Sequence, residues 1–439
     1  MTRAIALLGL AALLAGCGNF LAVDEPPPLP GERMPVLLLE PELQPDPRLA
    51  EIRIQLPPPV VNAAWPQSGG VASRSMQHLA AGDDLSLAWQ RSIGTGSSRR
   101  ARILQRPVVA AGKVFAADVS GAIVALAADD GRELWRYDPA DDDYQSSSEL
   151  GAGLAFENGW LFATLSGGMV VALNADTGAE VWRRKINLPL RSAPTVAGTT
   201  LLVLSADNQF LAYDAQDGEP LWQNAGYFET AAMLGGASAA YDGGIAVAPF
   251  SSGEVYAIRT DTGQPIWADT IQRPRLAYAM AAINDIQGDP VIDRDVVYVA
   301  GQGGEMVAFD LRRGTRLWEQ EMVSVETPWA VGDYVYVLTS RGEVACLLRQ
   351  GGRIKWVSPL PRLTDPEDTA SAPIVWSGPV LAGDRLLFAG SHGKAVSMSP
   401  YTGELLGEID LPGPVVSAPV VADRTVYFLT TGGDIVAYR

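Results

Sequence analysis

The chain has 439 residues, 47% of them hydrophobic and 19% charged, with a formal net charge of −17. That composition suffices for a large core and is ordinary for a folded globule. The acidic balance argues against nucleic acid and anionic headgroups as partners, because both need a basic patch. His78 and His392 lie far apart, so no metal-ligand spacing exists. If one of the two cysteines, Cys17 and Cys346, is used elsewhere, no internal disulfide remains.

In chain order, the first element is an address. Arg3 precedes an apolar run from Ala4 to Leu14, which ends in Leu14-Ala15-Gly16-Cys17. The run is too short to span a bilayer and fits the h-region of a secretory signal over residues 1–16. The Leu-Ala-Gly-Cys ending resembles a bacterial lipobox, which implies cleavage before Cys17 and lipidation of its thiol. Gly18 in place of Asp implies outer-membrane rather than inner-membrane retention. A mature lipoprotein carries two or three acyl chains, enough for stable anchoring. Residues 17–82 follow as a Pro-rich tether, with Pro26-Pro27-Pro28 and Pro57-Pro58-Pro59 stiffening the backbone. Within it, Trp65-Pro66-Gln67 and Met76-Gln77-His78-Leu79 are candidates for docking on the domain.

From residue 83 the chain repeats. ALAADDGRELW (125–135), ALNADTGAEVW (172–182), AYDAQDGEPLW (212–222), AIRTDTGQPIW (257–267), AFDLRRGTRLW (308–318) and CLLRQGGRIKW (346–356) share one frame. SMSPYTGELLG (397–407) keeps the frame with Gly407 in place of Trp. Each Trp follows a Gly by four residues. It follows a second turn residue by fourteen, which is Gly everywhere except Asn208. Asn is the next residue most tolerant of left-handed backbone, so both positions are expected at φ > 0. Short apolar runs lie between the turns, such as Lys113 to Asp118, Ala122 to Ala127 and Arg132 to Tyr137. With a period of 40–50 residues they predict four-stranded propeller blades, and no 3.6-residue periodicity supports a helical solenoid. Residues 417–439 hold three strands without a Trp, and Leu85 to Arg91 holds Trp89 without preceding strands. The N-terminal strand is therefore expected to complete the last blade. The fold class is all-β: one eight-bladed propeller over residues 83–439.

Trp89, Trp135, Trp182, Trp222, Trp267, Trp318 and Trp356 are expected to pack between blades. Cys346 stands where most repeats have Ala, so it reads as a small buried residue. No nucleophile, acid–base pair or metal cluster stands out, so the reading is non-enzymatic, with no cofactor and no metal.

The interval from each Trp to the next blade varies, from Trp318–Gly342 to Trp267–Gly304. The short turns inside it stay tight, so the variation falls in the loops joining one blade to the next, all on one propeller face. Such a face marks an interaction surface. The longest loops, 223–238, 268–289 and 357–378, carry Tyr227, Phe228 and Met233 in the first and Arg273, Arg275, Tyr278, Met280 and Asp285 in the second. These residue types are enriched at interfaces. Arg99, Arg100, Arg102 and Arg106 form a basic cluster before blade 1. Asp141-Asp142-Asp143 lacks the spacing of a calcium loop and reads as a solvated turn.

The Ala-x-x-x-Asp-Thr-Gly-x-x-x-Trp frame resembles the tryptophan-docking repeat of quinoprotein-type propellers, and it covers the whole propeller. One branch, the pyrroloquinoline quinone (PQQ) dehydrogenases, implies a PQQ and calcium enzyme. It is the alternative reading, but the chain has no Cys-Cys pair and no long inserted loops. The other branch is the BamB (YfgL) family of lipoproteins, which the lipobox, the length and the compact blades resemble. That resemblance implies a scaffold on the periplasmic side of the outer membrane. Its partners would be the β-barrel insertase, with its periplasmic repeat domains, and nascent outer-membrane proteins. Two family contact segments map here. A Leu-Ser-Leu-Arg-Gly segment corresponds to Ala231-Ala232-Met233-Leu234-Gly235, without its Arg. An Asp-x-Asp segment corresponds to Asp285 and Gln287, without its second Asp. The expected partner-binding residues are Met233, Leu234, Gly235, Arg273, Arg275, Tyr278, Asp285 and Gln287.

Overall fold

The computed structural model describes residues 42–439 except 100, 104, 140–151, 166, 230, 231 and 272–283. The expected signal segment, Cys17, Arg100, Asp141 to Asp143, Ala231, Arg273, Arg275, Tyr278 and Met280 lie outside the described residues.

Eight four-stranded antiparallel sheets make up the chain from residue 87 onward. Blade 1 is Val108–Ala110, Lys113–Ala117, Ile123–Ala127 and Glu133–Tyr137, paired in that order. Blades 2 to 7 span 152–185, 195–225, 240–270, 291–321, 329–359 and 376–410. Blade 8 joins three strands between 420 and 438 to Leu87–Ser92, which pairs antiparallel with Asp434–Tyr438. Most inner and middle strands are apolar and almost wholly buried (Ile123–Ala127 throughout), whereas the fourth strands are mostly exposed. The turn glycines adopt the left-handed backbone that the spacing requires, for example Gly131 at φ 71° and Gly121 at φ 85°, and Asn208 matches them at φ 62°.

The Gly…Trp spacing has a tertiary cause. The indole of each blade lies on the glycine of the next blade's last turn. A Cβ on Gly178 would stand 2.6 Å from Trp135 Cε3. Trp89, Trp182, Trp222, Trp267, Trp318 and Trp356 lie likewise against Gly131, Gly218, Gly263, Gly314, Gly352 and Gly403. Each indole N–H donates to a carbonyl of the neighbouring blade: Trp135 to Ala175 at 3.0 Å, Trp222 to Thr260 at 2.8 Å, Trp318 to Arg349 at 2.7 Å. A β-bulge precedes every such Trp. Trp135 pairs with Ala125 but Glu133 with Leu126, so Leu134 is extra and turns outward. This explains the exposed Leu134, Val181, Leu221, Ile266 and Leu317 on successive blades.

Residues 43–82 differ from the expected tether. Asn62 to Leu79 run round the central channel and meet the inner strand of every blade in turn. Asn62 O accepts from Asp423 N (2.7 Å, blade 8), and Trp65 exchanges two backbone bonds with Val109 (2.6 and 2.9 Å, blade 1). Pro66 O accepts from Phe156 N (blade 2), and the Gln67 amide bonds both backbone groups of Val196 (blade 3). Ala72 O and Ser73 O accept from Tyr241 N and Ile292 N (blades 4 and 5). Gln77 O accepts from Trp329 Nε1 (blade 6), and Leu79 bonds Leu381 and Gly383 (blade 7). The inner strands converge on the axis with unpaired backbone groups, and burying those groups without partners is costly. This segment supplies the partners. Its Trp65 is wholly buried and stacks on Trp329 at 6.3 Å. Farther back, a short 3-10 turn, Pro47–Leu49, sits on blade 6. There the bulge residue is Lys355 instead of an aliphatic, and its Nζ caps the carbonyls of Leu49 and Ala50.

Candidate partner-binding site on the loop face

The blade-to-blade loops gather around the mouth of the channel, opposite the tight turns. The loop after blade 3 is held at its base by Asn208. Its side chain donates to Tyr227 O (2.7 Å) and accepts from Ser251 N and Oγ (3.0 and 2.9 Å). This accounts for Asn where other repeats have Gly: the left-handed turn is kept and a side-chain clasp is added. Glu254, itself buried, accepts from Tyr227 N at 2.6 Å, from Ser252 Oγ at 2.7 Å and from Tyr256 OH at 2.9 Å. Burial and this carboxylate push the Tyr256 phenol up to about 12. The clasp presents Tyr227 and Phe228 almost free of the surface, at 73% and 71% exposure.

Asp285 organises the next tier. It is fully buried and pairs with Arg191 Nη2 at 2.7 Å. Its second oxygen accepts from Met233 N (2.9 Å) and Gln287 Nε2 (2.8 Å). One carboxylate therefore ties together the loops before blades 3, 4 and 5. Gly236 packs so closely on Arg191 Nε that no side chain fits there. The outcome is a rigid platform carrying Met233 at 38% exposure and Leu234 at 57%. As placed, Asp285 shapes this surface from beneath and Gln287 is half-buried, whereas Met233 and Leu234 form the surface. Gly235 turns the backbone just after Leu234, at φ 85°. Sequence reasoning missed Arg191. Its signal was a lone cation in the otherwise apolar stretch Leu188-Pro189-Leu190-Arg191.

Met233 and Leu234 also form one wall of a funnel of ≈ 300 Å³ at the channel mouth, with Val375, Val416, Arg106, Asp289 and Glu326 around it. Below it, Arg74 is buried, donates to Thr195 Oγ1 (2.7 Å) and Ala239 O (2.8 Å), and lies 3.5 Å from Asp289. Burial pushes the Glu326 carboxyl up to about 7, opposed by the Arg106 charge. Of the basic cluster before blade 1, Arg106 reaches the funnel, and Arg99 and Arg102 stay on the exposed surface. Among the described residues no three His, Cys, Asp or Glu side chains converge to hold a metal. The 62–79 segment runs round the channel along the inner strands of all eight blades. Cys346 is buried and its thiol is pushed far above its usual range by that burial, which suits packing and not reactivity.

Fold and site together define an eight-bladed β-propeller with clamped, exposed apolar side chains on its loop face. The comparisons give that class a family. Residues 119–358 and 364–439 match the family model described as outer membrane protein assembly factor BamB, and the chain belongs to that family. The BamB proteins of Yersinia pestis and Escherichia coli K12 are 26% and 28% identical to it. The first alignment covers 80% of this chain and 88% of the relative, the second 68% and 75%. Its fold is similar to the crystal structure of BamB from Moraxella catarrhalis, with a TM-score of 0.69 at 18% identity over 81% of this chain and all of that one. A quinohemoprotein alcohol dehydrogenase from Comamonas testosteroni also superposes, with a TM-score of 0.65 at 15% identity over 86% of this chain and 80% of its own. That likeness is one of fold alone. The chain stands with the outer-membrane assembly factors and not with the dehydrogenases. Among the described residues no helix is long and apolar enough to cross a membrane.

Proposed function

We propose that this chain is a non-catalytic scaffold lipoprotein, anchored through Cys17 on the periplasmic face of the outer membrane. It holds the β-barrel insertase of the assembly complex, through that partner's periplasmic repeat domains, and offers nascent barrel proteins a surface beside it. The observation that carries this reading is the ridge of Tyr227, Phe228, Met233 and Leu234, exposed yet clamped by Asn208, Glu254, Asp285 and Arg191. Exposed aromatic and large apolar side chains on a preorganised base bind with little ordering cost, and such anchors dominate interface energy. Arg273, Arg275 and Tyr278, which lie outside the described residues, are proposed as further partner contacts. Asp285 acts as a positioning residue for Met233.

A mild-detergent pull-down of the lipidated chain from its own membranes, read by mass spectrometry, tests this. The insertase is expected to dominate the wild-type eluate and to fall at least tenfold with Phe228→Asp plus Leu234→Asp, whose folded spectra stay native. Recovery of other envelope proteins without the insertase, or an eluate indifferent to the double variant, overturns the reading.

A further inference from the structure

Seven of the eight blade junctions hold an indole, and the junction between blades 7 and 8 does not. Gly407 pairs with Ser397 at the place where Trp135 pairs with Ala125. The partner position is changed as well. Leu85 stands four residues before Trp89, where the other blades have the glycine that receives the indole. The Trp and the Gly of the usual contact are thus replaced by Gly407 and Leu85, which both line a cavity of ≈ 390 Å³. Its walls are Leu387, Val396, Phe428, Leu85 and Gly407. Beside it Leu405 and Leu406 are both about half exposed, two adjacent apolar residues where other blades expose a single bulge residue. The rim is acidic. Asp83 and Asp84 make no ion pair among the described residues, whereas Glu408 pairs with Lys394 at 2.6 Å. Arg385 also lines the rim and keeps its charge while donating to the carbonyls of Gly82 and Asp83, so the two unpaired carboxylates exceed it by one.

We infer that this vacancy is a binding site for an aromatic side chain of a partner, a tryptophan flanked by basic residues. Indoles fill the seven corresponding junctions of this same molecule, each resting on a glycine; here Leu85 takes the glycine's place, so the incoming indole packs beside the Leu85 side chain. The two free carboxylates at the rim set the charge of the flanking residues. The site opens on the side of the tight turns, away from the loop face, so its occupancy is separable from the partner contact proposed above.

The test is calorimetric titration of the purified full chain with the peptide acetyl-Lys-Trp-Lys-amide. Saturable binding is expected, weakened at least tenfold in the Lys-Ala-Lys peptide, in Gly407→Trp, and at high salt, which screens exposed charges. Should Gly407→Trp fold poorly, Ser397→Tyr fills the same space from the neighbouring strand. A diazirine-bearing form of the peptide is expected to label segments 83–85, 395–397 and 406–409. Absence of saturation, labelling elsewhere, or binding untouched by the fill-in variant that folds overturns the assignment.

Discussion

The seven indole-filled junctions and the open one between blades 7 and 8 are built on the same sheets, yet they differ in what holds them. At a filled junction a Trp from one blade, a Gly from the next and one N–H···O bond form a closed unit. At the open junction the chain relies on other devices. Tyr438 OH on blade 8 donates to Asp410 O on blade 7 at 3.0 Å, and Arg385 on blade 7 donates to the carbonyls of Gly82 and Asp83, which lead into the first strand. The channel segment adds Asn62 on blade 8 and Leu79 on blade 7, which bridge the two blades from the axis. A ring can leave one wedge unfilled when its first strand and a central strap tie the same seam from other sides. The junction without a Trp is also the one that freed space for another use.

The largest test of this contrast removes a wedge. Trp135→Ala or Trp318→Ala is expected to destabilise the fold by about 3–5 kcal/mol, the usual range for a buried aromatic, read by urea denaturation. Trp65→Ala in the strap is expected in the same range. If Trp135→Ala leaves the midpoint unchanged, the junctions are not where the ring is held. Next in size, Gly178→Ala forces a Cβ onto the Trp135 indole at φ 72°, for a loss of roughly 1–3 kcal/mol. Gly407→Ala meets only Ser397 Oγ at 3.9 Å and is expected to be close to neutral. Equal losses at the two glycines would erase the distinction between the junctions.

A pH-dependent effect is expected where the loop before blade 6 meets the inner strand of blade 7. There Glu326 accepts from Gly378 N at 3.3 Å. Its carboxyl is raised from 4.5 to about 7, by burial first. The folded state thus holds a proton that the unfolded chain releases, so stability falls as pH rises from 4.5 to about 7. Glu326→Gln is expected to flatten this slope and to leave the melting temperature at pH 4 almost unchanged. A slope preserved in Glu326→Gln would place the titrating group elsewhere.

The repeat frame was legible because turn chemistry is local. Gly131, Asn208 and Gly403 each declare a left-handed backbone, and a fixed distance to Trp follows from strand length. The closing strand was readable too, since Trp89 lacked strands before it. The strap was not. Pro57 to Leu79 has no strand periodicity, and its order comes from backbone groups of eight inner strands far away in sequence. Asp285 was noticed as a loop carboxylate, but its burial depended on Arg191, 94 residues away, which no local pattern announces.

The sequence alone therefore determined the blade count, the turn conformations and the positions of the wedges, because each depends on backbone sterics and side-chain volume within one repeat. Only the tertiary structure decided that residues 62–79 run round the channel, that Asp285 supports the loop face from beneath, and that Gly407 lines a cavity. Each of those depends on which distant surfaces meet, and on the cost of leaving buried polar groups without partners once they do.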